Sequence, residues 1–148
     1  MVLYGHDNII KIYMIRIAKL TEYAMLVLSQ MAKDPRATRS AAYVADLLNL
    51  STPTVSKILK MLAEAGFVQS IRGSDGGYHL IKPAPEISVA DVIIAMEGGV
   101  AMTECCEVSS LCHLDAGCSM RENWKKINKE VHAVLANYSV IDITGTPQ

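Results

Sequence analysis

Residues 40–66 hold two helical patterns separated by only a few residues, and this spacing limits the fold more than any other feature. Ser40 can cap a helix whose Val44, Leu47 and Leu48 face inward. Asn49, Leu50 and Ser51 then form a short turn. Thr52 is placed to cap the next helix, with Pro53 at its first position, where the missing N–H costs nothing. Val55, Ile58, Leu59 and Leu62 recur at i, i+3, i+4 and i+7 and face a core, and Gly66 stops the helix. Two helices joined so tightly read as a helix-turn-helix. A first helix precedes them, from Thr21 as N-cap to about Ala32. It is patterned on Tyr23, Leu26, Val27 and Gln30 and widened by Met25, Leu28 and Met31. Asp34, Pro35 and Arg36 end it.

Two β-prone runs follow directly, Phe67 to Arg72 and Tyr78 to Lys82, flanking the tip Gly73-Ser74-Asp75-Gly76-Gly77. A glycine-rich tip between such runs is a hairpin signal, and a hairpin after a recognition helix is a wing. The expected fold is therefore mainly α with a small β-hairpin wing. A further helix starts at Ser88, with Asp91 three residues on as in a capping box. Val89, Val92, Ile93 and Met96 lie on its inner face, and Gly98 and Gly99 close it. With one Trp and one Phe in 148 residues, the core must be aliphatic, and 51% apolar content is ample to build it.

The last helix starts near Ser119. Met120, Trp124, Ile127, Val131, Val134 and Tyr138 step by four, three, four, three and four, a heptad-like stripe on a helix roughly 28 Å long. Such a stripe suits a dimerisation helix, and a winged helix that reads two half-sites needs a dimer. The chain thus divides into an N-terminal extension (1–13), a winged helix-turn-helix (14–100), a cysteine-rich loop (101–118), a dimerisation helix with a C-terminal segment (119–141) and a tail (142–148). Met14 is read as the natural start, because patterned sequence begins at Ile15.

Net charge is −1, which does not announce a polyanionic partner, but its distribution is uneven. Residues 51–82 carry Lys57, Lys60, Arg72 and Lys82 against Glu64 and Asp75. Residues 83–118 carry Glu86, Asp91, Glu97, Glu104, Glu107 and Asp115 with no Lys or Arg. Ser51, Thr52, Thr54, Ser56, Lys57 and Lys60 supply hydroxyls and cations able to reach base edges and phosphates in a major groove. Arg72, Gly73 and Ser74 lie on the wing, where Arg72 can enter a minor groove or clamp a phosphate. The expected partner is a double-stranded DNA operator. No run approaches the length of a membrane span, and the first residues resemble no secretion signal. A cytoplasmic protein with no membrane partner and no small-molecule substrate is expected.

All four cysteines, Cys105, Cys106, Cys112 and Cys118, fall within one short stretch. In a reducing compartment such thiols act as ligands or redox groups rather than as disulfides. Thiolate is a soft donor that selects iron–sulfur clusters, zinc or Cu(I). Structural zinc sites usually show C-x2-C pairs, unlike the wider spacings here. No C-x-x-C, no βαβ unit and no catalytic pairing is present, so an enzyme is not expected.

Residues 14–82 resemble the Rrf-two family of bacterial winged-helix transcription regulators, which includes the IscR and NsrR types. The resemblance rests on MIRIAKLTEYAM, LSTPTVSKILKMLAEAGFVQSIRG and GGYHL, and EISVADVIIAMEG continues it. TECCEVSSLCHLDAGCSMRENWKKIN is most similar to the branch that regulates SUF-type iron–sulfur assembly genes. The resemblance implies a homodimer that binds a promoter, as a repressor of those genes, and carries an iron–sulfur cluster on three cysteines per subunit. The 2Fe-2S form is favoured and 4Fe-4S is open. It carries Cys112 and Cys118 over directly. For the third thiolate, Cys106 restores the C-x5-C-x5-C spacing of the IscR type, and Cys105 matches the T-x-C position of the SUF branch, which is preferred. Arg121 stands where the IscR type has a ligating His. Glu22 from the partner subunit, His113 and the spare cysteine are the candidates for the fourth ligand. Nitric oxide or redox sensing, and zinc or thiol chemistry, are the alternatives for the signal.

Overall fold

The computed structural model describes residues 15–107, 112–114 and 117–145. The expected extension (1–13) with the start at Met14, and the last three residues of the expected tail, lie outside them. The elements run α1 (Lys19–Ala32), α2 (Ala41–Leu48), α3 (Thr52–Glu64), β1 (Val68–Ile71), β2 (Gly77–Leu80), α4 (Val89–Glu97), α5 (Arg121–Ala136) and α6 (Val140–Thr144). Short 3-10 turns cover Ala84–Glu86 and Glu104–Cys106. Among the described residues the chain is mainly helical with one antiparallel hairpin, as expected.

The core is aliphatic. Leu28 and Met31 of α1, Val44 of α2 and Val55, Ile58, Leu59 and Leu62 of α3 meet Ile87, Val92 and Val140 with almost no solvent exposure. Each such side chain contributes roughly 1.5–3 kcal/mol of burial. Leu26 and Leu47, expected inside, are exposed, because α1 and α2 bury narrower faces than their apolar content offers.

Three helix starts show where local signals suffice and where they do not. Ser40 caps α2 by accepting the Tyr43 N–H, as expected. The cap of α3 is Ser51 rather than Thr52. Its hydroxyl accepts the Thr54 N–H at 3.3 Å, which moves Pro53 to the second helical position. Two adjacent hydroxyl residues offered the same chemistry, and the extended backbone of Ser51 (φ −71°, ψ 140°) settles it. For α1 the expected cap also fails. The N-cap is Ala18, which has no capping side chain, and Thr21 lies inside the first turn, fully buried.

The hairpin pairs Val68 with Leu80 at its buried root and Ile71 with Gly77 near its exposed tip. Its strands are shorter than the β-prone runs. Arg39 adds a one-residue third strand, exchanging two backbone hydrogen bonds of 2.9 Å with Tyr78. This close pairing requires a glycine next to it. A Cβ on Gly77 would lie 2.4 Å from the Arg39 carbonyl oxygen.

The single C-terminal helix expected through Tyr138 divides. α5 ends at Ala136, and Ser139 opens a new capping box with Asp142 that starts α6. Val140 is fully buried, so the chain turns back onto α1 and the 84–86 turn. Residues 142–144, expected in the tail, complete this helix. The return is fixed by a bridge between two N-caps. Val89 N–H donates to Tyr138 O at 2.8 Å and Val140 N–H to Ile87 O at 2.9 Å, placing Ser88 opposite Ser139.

The heptad stripe also divides. Trp124 and Val131 turn inward and are half-buried with Arg121, Asn128 and Leu135. Met120, Ile127, Val134 and Tyr138 stay 59%, 46%, 57% and 54% exposed, an apolar row along α5 and its end.

Candidate nucleic-acid interface and cysteine turn

The outer face of α3 follows from its buried one. With Val55, Ile58, Leu59 and Leu62 inside, Pro53, Lys57 and Lys60 share the solvent side. Ser51 and Thr52 are exposed at the helix start. Thr54 and Ser56 are half-buried, and the Thr54 hydroxyl lies 2.6 Å from the Ser51 hydroxyl, so it is engaged in the cap. Arg72, Gly73 and Ser74 are exposed at the wing tip. Among the described residues no ion pair engages Lys57, Lys60 or Arg72. Lys82, by contrast, lies 3.4 Å from Asp91 and over the Phe67 ring. It supports the fold rather than extending the cationic face.

Two residues beside this face escaped the sequence reading. The Arg39 guanidinium lies 5.6 Å from the centroid of the Tyr43 ring and donates to the Gln30 carbonyl at 3.4 Å. Arg39 thereby ties α1, α2 and the wing together. A one-residue bridge has no periodicity to detect, and the only local hint was a cation next to the Ser40 cap.

The four cysteines are free thiols, each half-buried. Cys105 and Cys106 sit in the 3-10 turn that Thr103 opens. The Thr103 hydroxyl lies 3.1 Å from Cys105 Sγ and donates toward Cys106 Sγ at 3.4 Å, so both sulfurs converge on one oxygen. Cys112 and Cys118 lie farther along the same segment, and His113 is exposed beside Cys112. Arg121 is the first residue of α5. Glu22 is exposed on α1 and pairs with Lys19 at 2.6 Å. Hydrogen bonding and charge from Glu22 push the Lys19 ammonium above its ordinary value.

By kind, four free and partly accessible thiols fit an iron–sulfur cluster. Among the described residues of one chain, no three His, Cys, Asp or Glu side chains are gathered to hold a metal ion. The structure therefore brings Cys105 and Cys106 together but does not bring them into a ligand set with Cys112, Cys118, His113 or Glu22. No helix among the described residues is long and apolar enough to cross a membrane.

Known proteins agree with this architecture. A curated relative, Protein aau3 of Rhizobium meliloti (strain 1021), is 32% identical over 129 residues, 86% of this chain and 84% of the relative. CymR of B. subtilis, described as its global cysteine regulator, is 28% identical with a TM-score of 0.65, over 87% of this chain and 95% of that one. T. potens IscR, at 24% identity and a TM-score of 0.63 over 88% and 86% of the two chains, shares the fold. The sequence model of the Rrf2 family, described as an iron-dependent transcriptional regulator, matches residues 17–146. With its recognition helix, its wing and this match, the chain belongs to the Rrf2 (Rrf-two) family and is a winged-helix transcriptional regulator rather than an enzyme.

Proposed function

We propose that this chain represses iron–sulfur cluster assembly genes of the SUF type, as a cytoplasmic homodimer that senses cluster status through its cysteine segment. The observation that carries this reading is the position of the thiols. Cys105 and Cys106 form a half-buried turn against α5, the helix that also bears the exposed apolar row. The family's description as iron-dependent supports it.

In this reading Cys112, Cys118 and one of Cys105 or Cys106 hold the cluster, with Glu22 of a second copy or His113 as the candidates for the remaining ligand. When bound, a cluster would supply iron for these thiolates to ligate, which would tie the segment together, and an iron centre that oxidants can remove. The rest is done by the chain itself. Met120, Ile127, Val134 and Tyr138 pack against a second copy and set the distance between two reading heads. Lys57 and Lys60 follow the major-groove backbone and edges, with Ser51, Thr52, Thr54 and Ser56 lining the helix start, and Arg72, Gly73 and Ser74 meet the flanking groove. A change at the thiols that shifts α5 alters the spacing of the heads. A coupling of about 1–3 kcal/mol changes operator affinity roughly 5–150-fold.

The test is anaerobic purification of the full chain, with iron and acid-labile sulfide measured, then a gel shift on its own upstream region in loaded and metal-free forms. Brown protein and an affinity difference between forms are expected, and Cys112→Ala should remove both. Colourless protein with stoichiometric zinc would sink the cluster. A second reading has its own support. Cys105 and Cys106 are adjacent free thiols, each half-buried. Direct thiol or redox sensing would appear as operator affinity that follows oxidation of metal-free protein. Nitric oxide sensing would appear as release of the operator only after nitrosylation of the loaded form.

A further inference from the structure

We propose that Asn128 is the positioning residue of the cysteine turn, an amide clamp through which α5 fixes where Cys105 and Cys106 sit. This rests on reading the cysteine segment as the sensor. The chain leaves α4 at Gly98, in the left-handed region (φ 88°), and passes Gly99, and nothing packs within 4 Å of where a Cβ would stand on either. The two glycines thus carry no side-chain packing of their own, and the connection is first anchored at Val100, which packs against the core. The polar contacts that hold its backbone from there come from one side chain. Asn128 Oδ1 accepts the Met102 N–H at 2.9 Å, and Asn128 Nδ2 donates to the Val100 carbonyl at 2.8 Å.

A carboxamide is suited to this work, because it places one acceptor and one donor side by side, as a neighbouring β-strand would. Both bonds involve partly buried groups, so neither is freely replaced by water. The clamp ends one residue before Thr103, whose hydroxyl meets both sulfurs. The relay is short: helix α5, Asn128, the Met102 amide, Thr103, then the two thiols. Asn128 also shares the inner face of α5 with Trp124 and Val131, next to Ile127 of the exposed row. A displacement of the thiols can therefore reach the exposed row through Asn128 as well as through the direct packing of the 104–106 turn on α5. Asp cannot serve, since a carboxylate has no donor for the Val100 carbonyl. Leu has the shape and neither bond.

The experiment measures alkylation rates of all four cysteines in reduced, metal-free full-length protein, resolved by peptide mass spectrometry. Being independent of any cluster, it separates failure of this inference from failure of the sensor assignment. In Asn128→Leu, Cys105 and Cys106 should react about tenfold faster, the scale of losing a buried hydrogen-bond restraint, while Cys112 and Cys118 change less than about twofold. If Asn128→Leu does not fold, Asn128→Gln is read the same way, since it keeps the amide but sets it one methylene too far out. Equal acceleration of all four thiols, or unchanged Cys105 and Cys106 rates in a folded variant, would overturn the proposal.

Discussion

The Thr21 hydroxyl donates to Glu97 Oε1 at 2.6 Å, joining the first turn of α1 to the last residue of α4. The same oxygen accepts the Ala18 N–H at 3.1 Å. α1 has no capping side chain of its own, and Glu97 does for Ala18 what the third helical residue does in a capping box. It also places a negative charge at the positive end of the helix. Thr21 can be fully buried, the only buried polar side chain among the described residues, because its hydroxyl has this partner.

Removing that carboxylate should uncap α1. Glu97→Ala is expected to lower stability by about 1–2 kcal/mol, as loss of a cap does. Glu97→Gln, which keeps an acceptor oxygen, should cost less than about 1 kcal/mol, since solvent screens the charge. Urea unfolding of the two variants measures both. Equal losses would mean that the charge, not the hydrogen bonds, carries the contact.

The paired caps Ser88 and Ser139 should behave as one unit. Each hydroxyl accepts the N–H of its own Asp partner, and the two residues face each other in the bridge that ties α6 to the core. Ser88→Ala and Ser139→Ala should each cost about 1 kcal/mol. The double variant should depart from their sum by more than about 0.5 kcal/mol, because neighbouring sites are coupled. Strict additivity in a double-mutant cycle would show that the bridge transmits nothing.

The same boxes set an acid limit. Burial raises the Asp91 carboxyl, but hydrogen bonds from the Ser88 backbone and side chain and the nearby Lys82 charge outweigh it and hold the group below its ordinary 3.8. Asp142 is held below 3.8 by the backbone and side-chain hydrogen bonds of Ser139. Because the folded values are depressed, the stabilisation is complete above the unfolded value and is lost as pH falls through the folded one. Unfolding midpoints should therefore show no slope from these groups near neutrality and a decline below the ordinary carboxylate range. Asp91→Asn should flatten that decline; an unaltered acid limb would remove Asp91 from its cause.

On the recognition face, stability and DNA affinity should separate. Lys57→Ala and Lys60→Ala change exposed side chains with no ion pair among the described residues, so stability should shift by less than about 0.5 kcal/mol. Operator affinity should fall, and Arg72→Ala should reduce the salt slope by about one. Gly77→Ala should do the opposite first. Its Cβ meets the Arg39 carbonyl, so thermal stability falls and the wing leaves its place beside α2. Salt-dependent gel shifts beside thermal melts distinguish these cases, and a Lys57→Ala variant that melts early would make Lys57 structural.

What could be read from the chain alone was whatever is coded within a turn or two. The spacing of Val55, Ile58, Leu59 and Leu62 gives the buried face of α3 and so its outer one. The glycine-rich tip marks the wing, and Ser88 with Asp91 marks the start of α4. Thr21 and the end of the last long helix were misread because their partners are distant in sequence. The start of α1 depends on Glu97, and the end of α5 depends on Val140 finding room in the core. The cysteines stood out as candidate ligands by number and closeness. Where two of them stand was decided by Thr103 and by an asparagine on α5, which nothing in the local pattern sets apart. Periodicity and capping are short-range and survive in one dimension, whereas a hydrogen bond between remote groups exists only once packing has brought its donor and acceptor together.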